Sequence, residues 1–175
     1  KGVLNKIHVK LVNKQLCINL MCIGFKAFVR KKFEQQHGRC MWGYLKASLK
    51  VLFKNAMMQV EMQIGGNAVK MDAAMIVIAN ATKYGSGAII NPVGKLDDEL
   101  FEVIVVKKIS LPEIFKMTVS HASYDPDKTE VFQTNTFTMR SARKAHFQVD
   151  GEYLGKVNQV EATLIPGALE IIVPA

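Results

Sequence analysis

Four consecutive residues, Val149-Asp150-Gly151-Glu152, set two carboxylates on either side of one glycine, directly after an apolar, strand-like stretch. A carboxylate so placed can accept a proton from a hydroxyl or bind a hard cation such as Mg²⁺. Asp-Gly between alternating apolar stretches is also the strongest short signal for a two-residue hairpin turn. A second acidic cluster, Leu96-Asp97-Asp98-Glu99-Leu100, follows Asn91-Pro92-Val93-Gly94 and precedes another apolar stretch. It reads either as a solvated turn or as a cation site made of one carboxylate and neighbouring backbone carbonyls. A third segment, Asn80-Ala81-Thr82-Lys83-Tyr84-Gly85-Ser86-Gly87, is a polar, glycine-bearing loop leaving an apolar run, of the kind that lets a ligand approach the backbone.

Other chemistries lack their residues. Neither a GxxxxGK[ST] nor a GxGxxG phosphate loop occurs in the 175 residues, so nucleotide chemistry would need groups from elsewhere. The histidines (His8, His37, His121, His146) have no ligand spacing, and no Ser-His or Cys-His arrangement can be argued. Three cysteines, Cys17, Cys22 and Cys40, form no CxxC pair and read as reduced thiols of a cytoplasmic protein.

The elements that must position these groups follow from periodicity. Lys6 to Val12 alternates at period two, a half-buried strand, and Asn13-Lys14 turns into Gln15–Met21. From Phe25 the period changes: Phe25, Phe28, Val29 and Phe33 share a helical face, and Gly38 ends the segment. A second amphipathic helix carries Trp42, Leu45, Leu49 and Leu52, with Lys46, Lys50 and Lys54 opposite. Beyond Asn55 the pattern is β throughout. Val60, Met62 and Ile64 alternate up to a Gly65-Gly66-Asn67 hairpin, while Ala73–Asn80 and Phe101–Val106 are continuously apolar, as strands covered on both faces must be. Leu111-Pro112-Glu113 starts a short helix. Glu130–Met139 and Lys144–Val149 are strand-like, and Gln159–Leu164 and Ala168–Val173 form two strands joined across Ile165-Pro166-Gly167. The expectation is one domain over 1–175, mainly β with a small helical insertion at about 25–54 (α+β), built as an antiparallel sandwich or barrel-like body.

Charge is uneven. Residues 1–54 hold twelve Lys/Arg against Glu34 alone, and the rest hold eleven against fourteen acids, within an overall +8. A basic third suggests an anionic surface, or simply a solvated helical face. No recognisable nucleic-acid module accompanies it. No apolar run approaches the roughly 18 residues of a membrane span, and Lys1–Lys6 lacks the apolar core of a secretory signal.

Taken in order, the motifs Asn19-x4-Gly24-Phe25-x-Ala27, Val77-x2-Asn80, Tyr84-Gly85-x-Gly87, Pro92 with Leu96-Asp97-Asp98, and Val149-Asp150-Gly151-Glu152 resemble one family. It is the C-terminal domain of the diacylglycerol kinase and sphingosine kinase family of lipid kinases, related in fold to NAD kinases. The resemblance runs from about Asn13 through Ile165-Pro166-Gly167-Ala168-Leu169. It implies an antiparallel β-sandwich that packs against an N-terminal nucleotide-binding domain and closes one side of an active-site cleft.

In that family a Gly-Gly-Asp-Gly-Thr run in the N-terminal domain holds ATP. This chain lacks the run, since Ile64-Gly65-Gly66-Asn67-Ala68 reads as a hairpin. The nucleotide-binding domain is therefore expected elsewhere, and this stretch alone is expected to be inactive. The resemblance implies that Asp150 and Glu152 face the γ-phosphate, one as general base toward a lipid hydroxyl and the other helping to order Mg²⁺, with Glu152 favoured as proton acceptor or the pair sharing the task. It also implies that Asp98, with backbone carbonyls of Lys95 and Leu100, holds a second, structural Mg²⁺.

The expected partners are a lipid alcohol (diacylglycerol, monoacylglycerol, a sphingoid base or a polyprenol-type alcohol), the nucleotide-binding domain and an anionic membrane touched peripherally, with no nucleic acid. Two positions depart from the family pattern. Glu99 replaces a glycine, and Lys26 replaces the acid of Gly-Phe-Asp-Ala. These departures motivate an alternative: a non-catalytic lipid- or protein-binding sandwich derived from the family.

Overall fold

The computed structural model describes residues 2–34, 51, 57–84, 88, 89, 91, 94, 95, 98–110 and 125–174. Of the expected helix at Trp42–Leu52 only Val51, helical and buried, is among these residues; the helix after Leu111, with Gly38, the Gly85–Gly87 segment, Pro92 and Asp97, lies outside them.

Strands β1 (Gly2–Val12), β2 (Gln15–Cys17) and β3 (Leu20–Gly24) lead into helix α1 (Phe25–Glu34). Then come β4 (Met58–Ile64), β5 (Asn67–Ala73), β6 (Met75–Ala79), β7 (Lys83–Tyr84), β8 (Ala88–Ile89), β9 (Phe101–Val106), β10 (Thr129–Thr134), β11 (Thr136–Val149) and β12 (Glu152–Pro174). Ten of these strands form one sheet in the order β10-β9-β6-β3-β11-β12-β1-β2, with β4 and β5 attached to β11. Every pairing in it is antiparallel.

The sheet folds over on β11. The first half of that strand, Phe137–Ser141, pairs with β4, and its last residues, Phe147–Val149, pair with β3. Two layers result, β10-β9-β6-β3 and β5-β4-β11-β12-β1-β2, and the expected sandwich is the observed architecture. Side-chain parity divides the core accordingly. Met21, Ile23, Ile76, Ile78, Phe101, Val103 and Val105 face Val60, Met62, Phe137, Met139 and Val160 between the layers. Leu20, Cys22, Met75, Val77, Ile104 and Val106 point the other way, against Phe25 and Val29 of α1 and against Val51. β3, β6 and β9 are therefore buried on both faces, which is why β6 and β9 read as unbroken apolar runs. Among the described residues no helix is long and apolar enough to cross a membrane.

Three details differ from the periodicity. Gln15–Met21 is two strands, broken at Ile18-Asn19 where the chain passes from one layer to the other. Residues 159–173 belong to a single strand. Ile165-Pro166-Gly167 is a bulge in its ladder with β1, between the pairs Ile7↔Leu169 and Val9↔Ile165, and Gly167 N–H donates to His8 Nδ1 at 3.0 Å. Lys10, on the basic side of the alternation, is wholly buried.

Gly24 makes the β3–α1 junction possible. Its φ is +98°, and a Cβ there would lie 2.6 Å from the Ala74 carbonyl oxygen and 2.9 Å from Met58 Cε. That same carbonyl accepts from Phe25 N–H at 3.1 Å, which anchors the helix start. Gly24→Ala is expected to cost about 2–4 kcal/mol, from left-handed strain and the clash combined. Urea unfolding of the two proteins measures it, and an unchanged midpoint would contradict this account of the junction.

Candidate functional site

The antiparallel registers bring the sequence motifs together. Leu20 pairs with Ala79, Ala79 with Glu102, and Met21 with Val149. Asn19, Asn80, the segment preceding Phe101 and the Asp150 turn therefore all emerge at one end of the same layer. Residues separated by up to 131 positions are assembled by strand order alone.

The turn at this end is a tight one. Asp150 and Gly151 have φ of 45° and 91°, as a primed two-residue hairpin demands, and Val149 pairs with Glu152 across it. The Asp150 carboxylate reaches the chain break between β2 and β3. Oδ2 accepts from Ile18 N–H at 2.7 Å, and Oδ1 accepts from Asn19 and Leu20 N–H at 2.9 Å each. The Cys17 thiol approaches Oδ1 at 3.6 Å. Burial pushes that thiol up to about 12, so it stays protonated and able to donate. Asp150 N–H in turn donates to the Leu20 carbonyl at 2.8 Å. Three amides and a thiol fill the roughly four acceptor positions of a carboxylate.

Lys10 closes this cluster from inside. Its Nζ donates to the Asn19 carbonyl at 3.0 Å. Burial lowers its pKa, and the nearby Cys17, Asp150 and Glu102 act to raise it. The positive charge of Lys10 thus stands behind the Asp150 carboxylate and the turn it holds. Glu152 differs from Asp150. It is exposed, and among the described residues no donor or cation reaches its carboxylate. The two acids therefore differ in environment: Asp150 is held by backbone donors, and Glu152 is exposed with no partner among the described residues.

Beside the turn lies a buried polar network. Asn80 N–H donates to the Asn19 carbonyl and its side chain to the His8 carbonyl, each at 3.3 Å. Glu102, wholly buried in β9, accepts from Asn91 Nδ2 and, at 3.1 Å, from Gln133 Nε2. Thr82 Oγ1 donates to the Gly94 carbonyl at 3.1 Å, and Gly94 N–H to the Asn91 carbonyl at 3.2 Å. Asp98 is half-buried, and its Oδ1 is enclosed without a hydrogen-bond donor; the Oδ1 atoms of Asn19, Asn80 and Asn91 share that condition. Enclosed oxygens without donors suit a hard cation. Among the described residues no three His, Cys, Asp or Glu side chains cluster for a metal. A cation held by Asp98 would need oxygen atoms as its other ligands, a set that suits Mg²⁺ or Ca²⁺; of the two residues expected to supply carbonyls, Leu100 is half-buried and Lys95 exposed.

Sequence reasoning missed Lys10, Asn91 and Glu102. The one available signal was Glu102 itself, a carboxylate inside the apolar run Phe101–Val106, which must be paired if that strand is covered on both faces.

A second feature lies along β11 and β12, on the α1 side. His146 stacks on Phe28 with ring centroids 4.1 Å apart and hydrogen-bonds through Nδ1 to Tyr153 Oη at 2.7 Å. Burial raises the Tyr153 pKa, so its hydroxyl donates and Nδ1 accepts. Burial, with Lys156, Lys31 and Lys32 nearby, lowers His146 to about 4. Between about pH 4 and 6.5 the unfolded chain binds a proton at this residue that the fold refuses, so stability is lost as the pH falls through that window. At this half-exposed site screening limits the loss to about 1–2 kcal/mol. His146→Gln should make the difference in unfolding free energy between pH 7.5 and pH 4 smaller by that amount. An equal acid sensitivity in both proteins would contradict the assignment. Lys26 of the Gly24-Phe25-Lys26-Ala27 motif is lowered by burial to about 8, and its charge lies beside the buried Cys22 thiol.

Residues 19–173 match the family model described as the YegS C-terminal NAD kinase beta sandwich-like domain. No curated protein matches the sequence. Among solved structures, a diacylglycerol kinase from Bacillus anthracis str. Sterne superposes with a TM-score of 0.64 at 14% identity over 96% of this chain and 53% of its own. Two candidate diacylglycerol kinases from the same organism superpose with TM-scores of 0.70 and 0.71 at 17% and 15% identity, each over 96% of this chain and 57% of theirs. The chain thus spans little more than half the length of these proteins.

Proposed function

The chain belongs to the YegS-like family of C-terminal NAD kinase beta sandwich-like domains, and from that premise we propose that it is the C-terminal domain of an ATP-dependent, diacylglycerol kinase-like enzyme. The reaction is transfer of the γ-phosphate of ATP to a lipid hydroxyl. Glu152 accepts the hydroxyl proton as the oxygen attacks phosphorus. Asp150 holds the turn that carries Glu152 by tying it to the amides of residues 18–20. The observation that carries this reading is the contrast between a carboxylate without a partner among the described residues and a neighbour saturated with donors on the same four-residue turn.

Asp98, with carbonyls of Lys95 and Leu100, is the proposed place of a structural Mg²⁺, supported by the enclosed, donor-free Oδ1. Mg²⁺ on the nucleotide would neutralise charge developing on the transferred phosphoryl group. The nucleotide-binding surface is proposed to come from a separate N-terminal domain. Support for such a partner comes from the β1–β12 ribbon, where Leu4 is 66% exposed and its cross-strand partner Ile172 77% exposed. Two paired apolar side chains in water suit burial under another body. The basic first third favours an anionic membrane, where the lipid acceptor lies, and a cytoplasmic location goes with that.

Release of ADP by the full-length protein should depend on added lipid alcohol. ADP release indifferent to every alcohol tried would remove support from the kinase reading. A second reading, a non-catalytic binding sandwich, draws on Lys26, a half-buried cation where family members carry an acid. Inactivity together with retained vesicle binding would favour it.

A further inference from the structure

Beside the β11–β12 hairpin, on the α1 side, lies a cavity of about 650 Å³ that none of the kinase residues line. The β11 ladder creates it. Arg140 pairs with Gln159 and the next pair is Ala145 with Val157, so Ser141–Lys144 have no partner in β12 and bulge from that ladder, while Ser141 keeps its pairing with Val60 of β4. Ser141 Oγ donates to the Arg143 carbonyl at 2.7 Å and pins that shape. Bulges re-aim side chains, and this one delivers Arg143 and Lys144 to the cavity, where Lys156 of β12 joins them.

The rest of the lining combines the apolar side chains of Phe28, Met58 and Met57, the last 48% exposed, with the polar ones of Gln59, Asp72, Ser141 and His146. More positive charge lies close by, since Lys31 Nζ is 5.3 Å from the Tyr153 ring centroid and Lys32 Nζ is 6.0 Å from that of Phe28. The same lysines, Lys156, Lys31 and Lys32, add to the effect of burial in lowering the His146 pKa. Asp72 is the one acid in the lining. Three cations over an apolar floor form a site for a molecule that is anionic at one end and greasy at the other. Nucleic acid has no use for the methionine floor, and the Phe28 face is already stacked on His146.

We propose that this cavity is a docking site for the phosphate headgroup of an anionic phospholipid in a membrane. Arg143, Lys144 and Lys156 pair the phosphate oxygens, and the glycerol and first acyl carbons lie over Phe28, Met57 and Met58. The site deepens the kinase reading by giving the membrane a specific contact outside the basic first third. It does not depend on that reading, because binding is measured without ATP.

The test is sedimentation of the full-length protein with phosphatidylcholine vesicles, with and without phosphatidylglycerol. The wild type should bind the anionic vesicles, and R143A/K144A/K156A should bind them about a hundredfold more weakly, as expected for three lost cations near an anionic surface. R143K/K144R/K156R should retain binding. K6A/K14A/K108A removes the same charge at exposed positions elsewhere and should weaken binding no more than tenfold, and unfolding temperatures confirm that each variant is folded. Equal losses in the two alanine triples would overturn the site, as would binding of duplex DNA or inorganic phosphate in place of the vesicles.

Discussion

Glu152→Gln in the full-length protein should lower the rate of phosphoryl transfer by about 10²–10⁴-fold, the range for removing a positioned general base. The substitution keeps the size of the side chain and removes only its ability to take a proton. Glu152 is exposed and unpartnered among the described residues, so stability should change by no more than about 0.5 kcal/mol. A loss in turnover with an unchanged melting temperature assigns chemistry to the residue. Turnover within twofold of wild type would move the base elsewhere.

Asp150→Ala should act on the fold first. It removes the acceptor for three backbone amides at once and leaves the buried Lys10 without one of the carboxylates, with Glu102, that offset its burial. Hydrogen bonds to a charged group contribute about 1.5–3 kcal/mol each when buried, and these are partly exposed, so a total of about 2–4 kcal/mol is expected. For a domain of this size the corresponding fall in Tm is roughly 5–15 °C. Asp150→Asn, which tolerates the positive φ and keeps one acceptor oxygen, should fall between. A Tm within about 1 °C of wild type for the alanine variant would show that the amides of residues 18–20 do not depend on Asp150.

Much of the fold was legible because the burial of each strand is written in its period. Met58–Ile64 alternates because one face is covered, and Met75–Ala79 and Phe101–Val106 do not alternate because both are. The Asp150-Gly151 turn announced itself through one of the few dipeptides that readily accept two positive φ values. Features decided by distant partners were hidden. Nothing local marks Lys10 for burial, since its acceptor is nine residues away and its counter-charge is 140 residues away. Ile165-Pro166-Gly167 resembles a turn, and only the pairing with β1 makes it a bulge.

The candidate site follows the same division. Its residue types were visible in order along the chain, whereas the division of labour between Asp150 and Glu152 required knowing that residues 17–20 lie beneath the hairpin. The cavity at Ser141–Lys144 carried one local hint, three cations within five residues (Arg140, Arg143, Lys144) that interrupt the strand alternation.

The most direct measurement is transfer of a labelled γ-phosphate by the full-length protein, with Mg²⁺ and vesicles carrying in turn diacylglycerol, monoacylglycerol, a sphingoid base or a polyprenol. Label should appear in the organic phase as a lipid phosphate monoester with at least one acceptor, and should be lost in Glu152→Gln. A folded, vesicle-bound protein that moves no label to any of these alcohols would contradict the account at its centre.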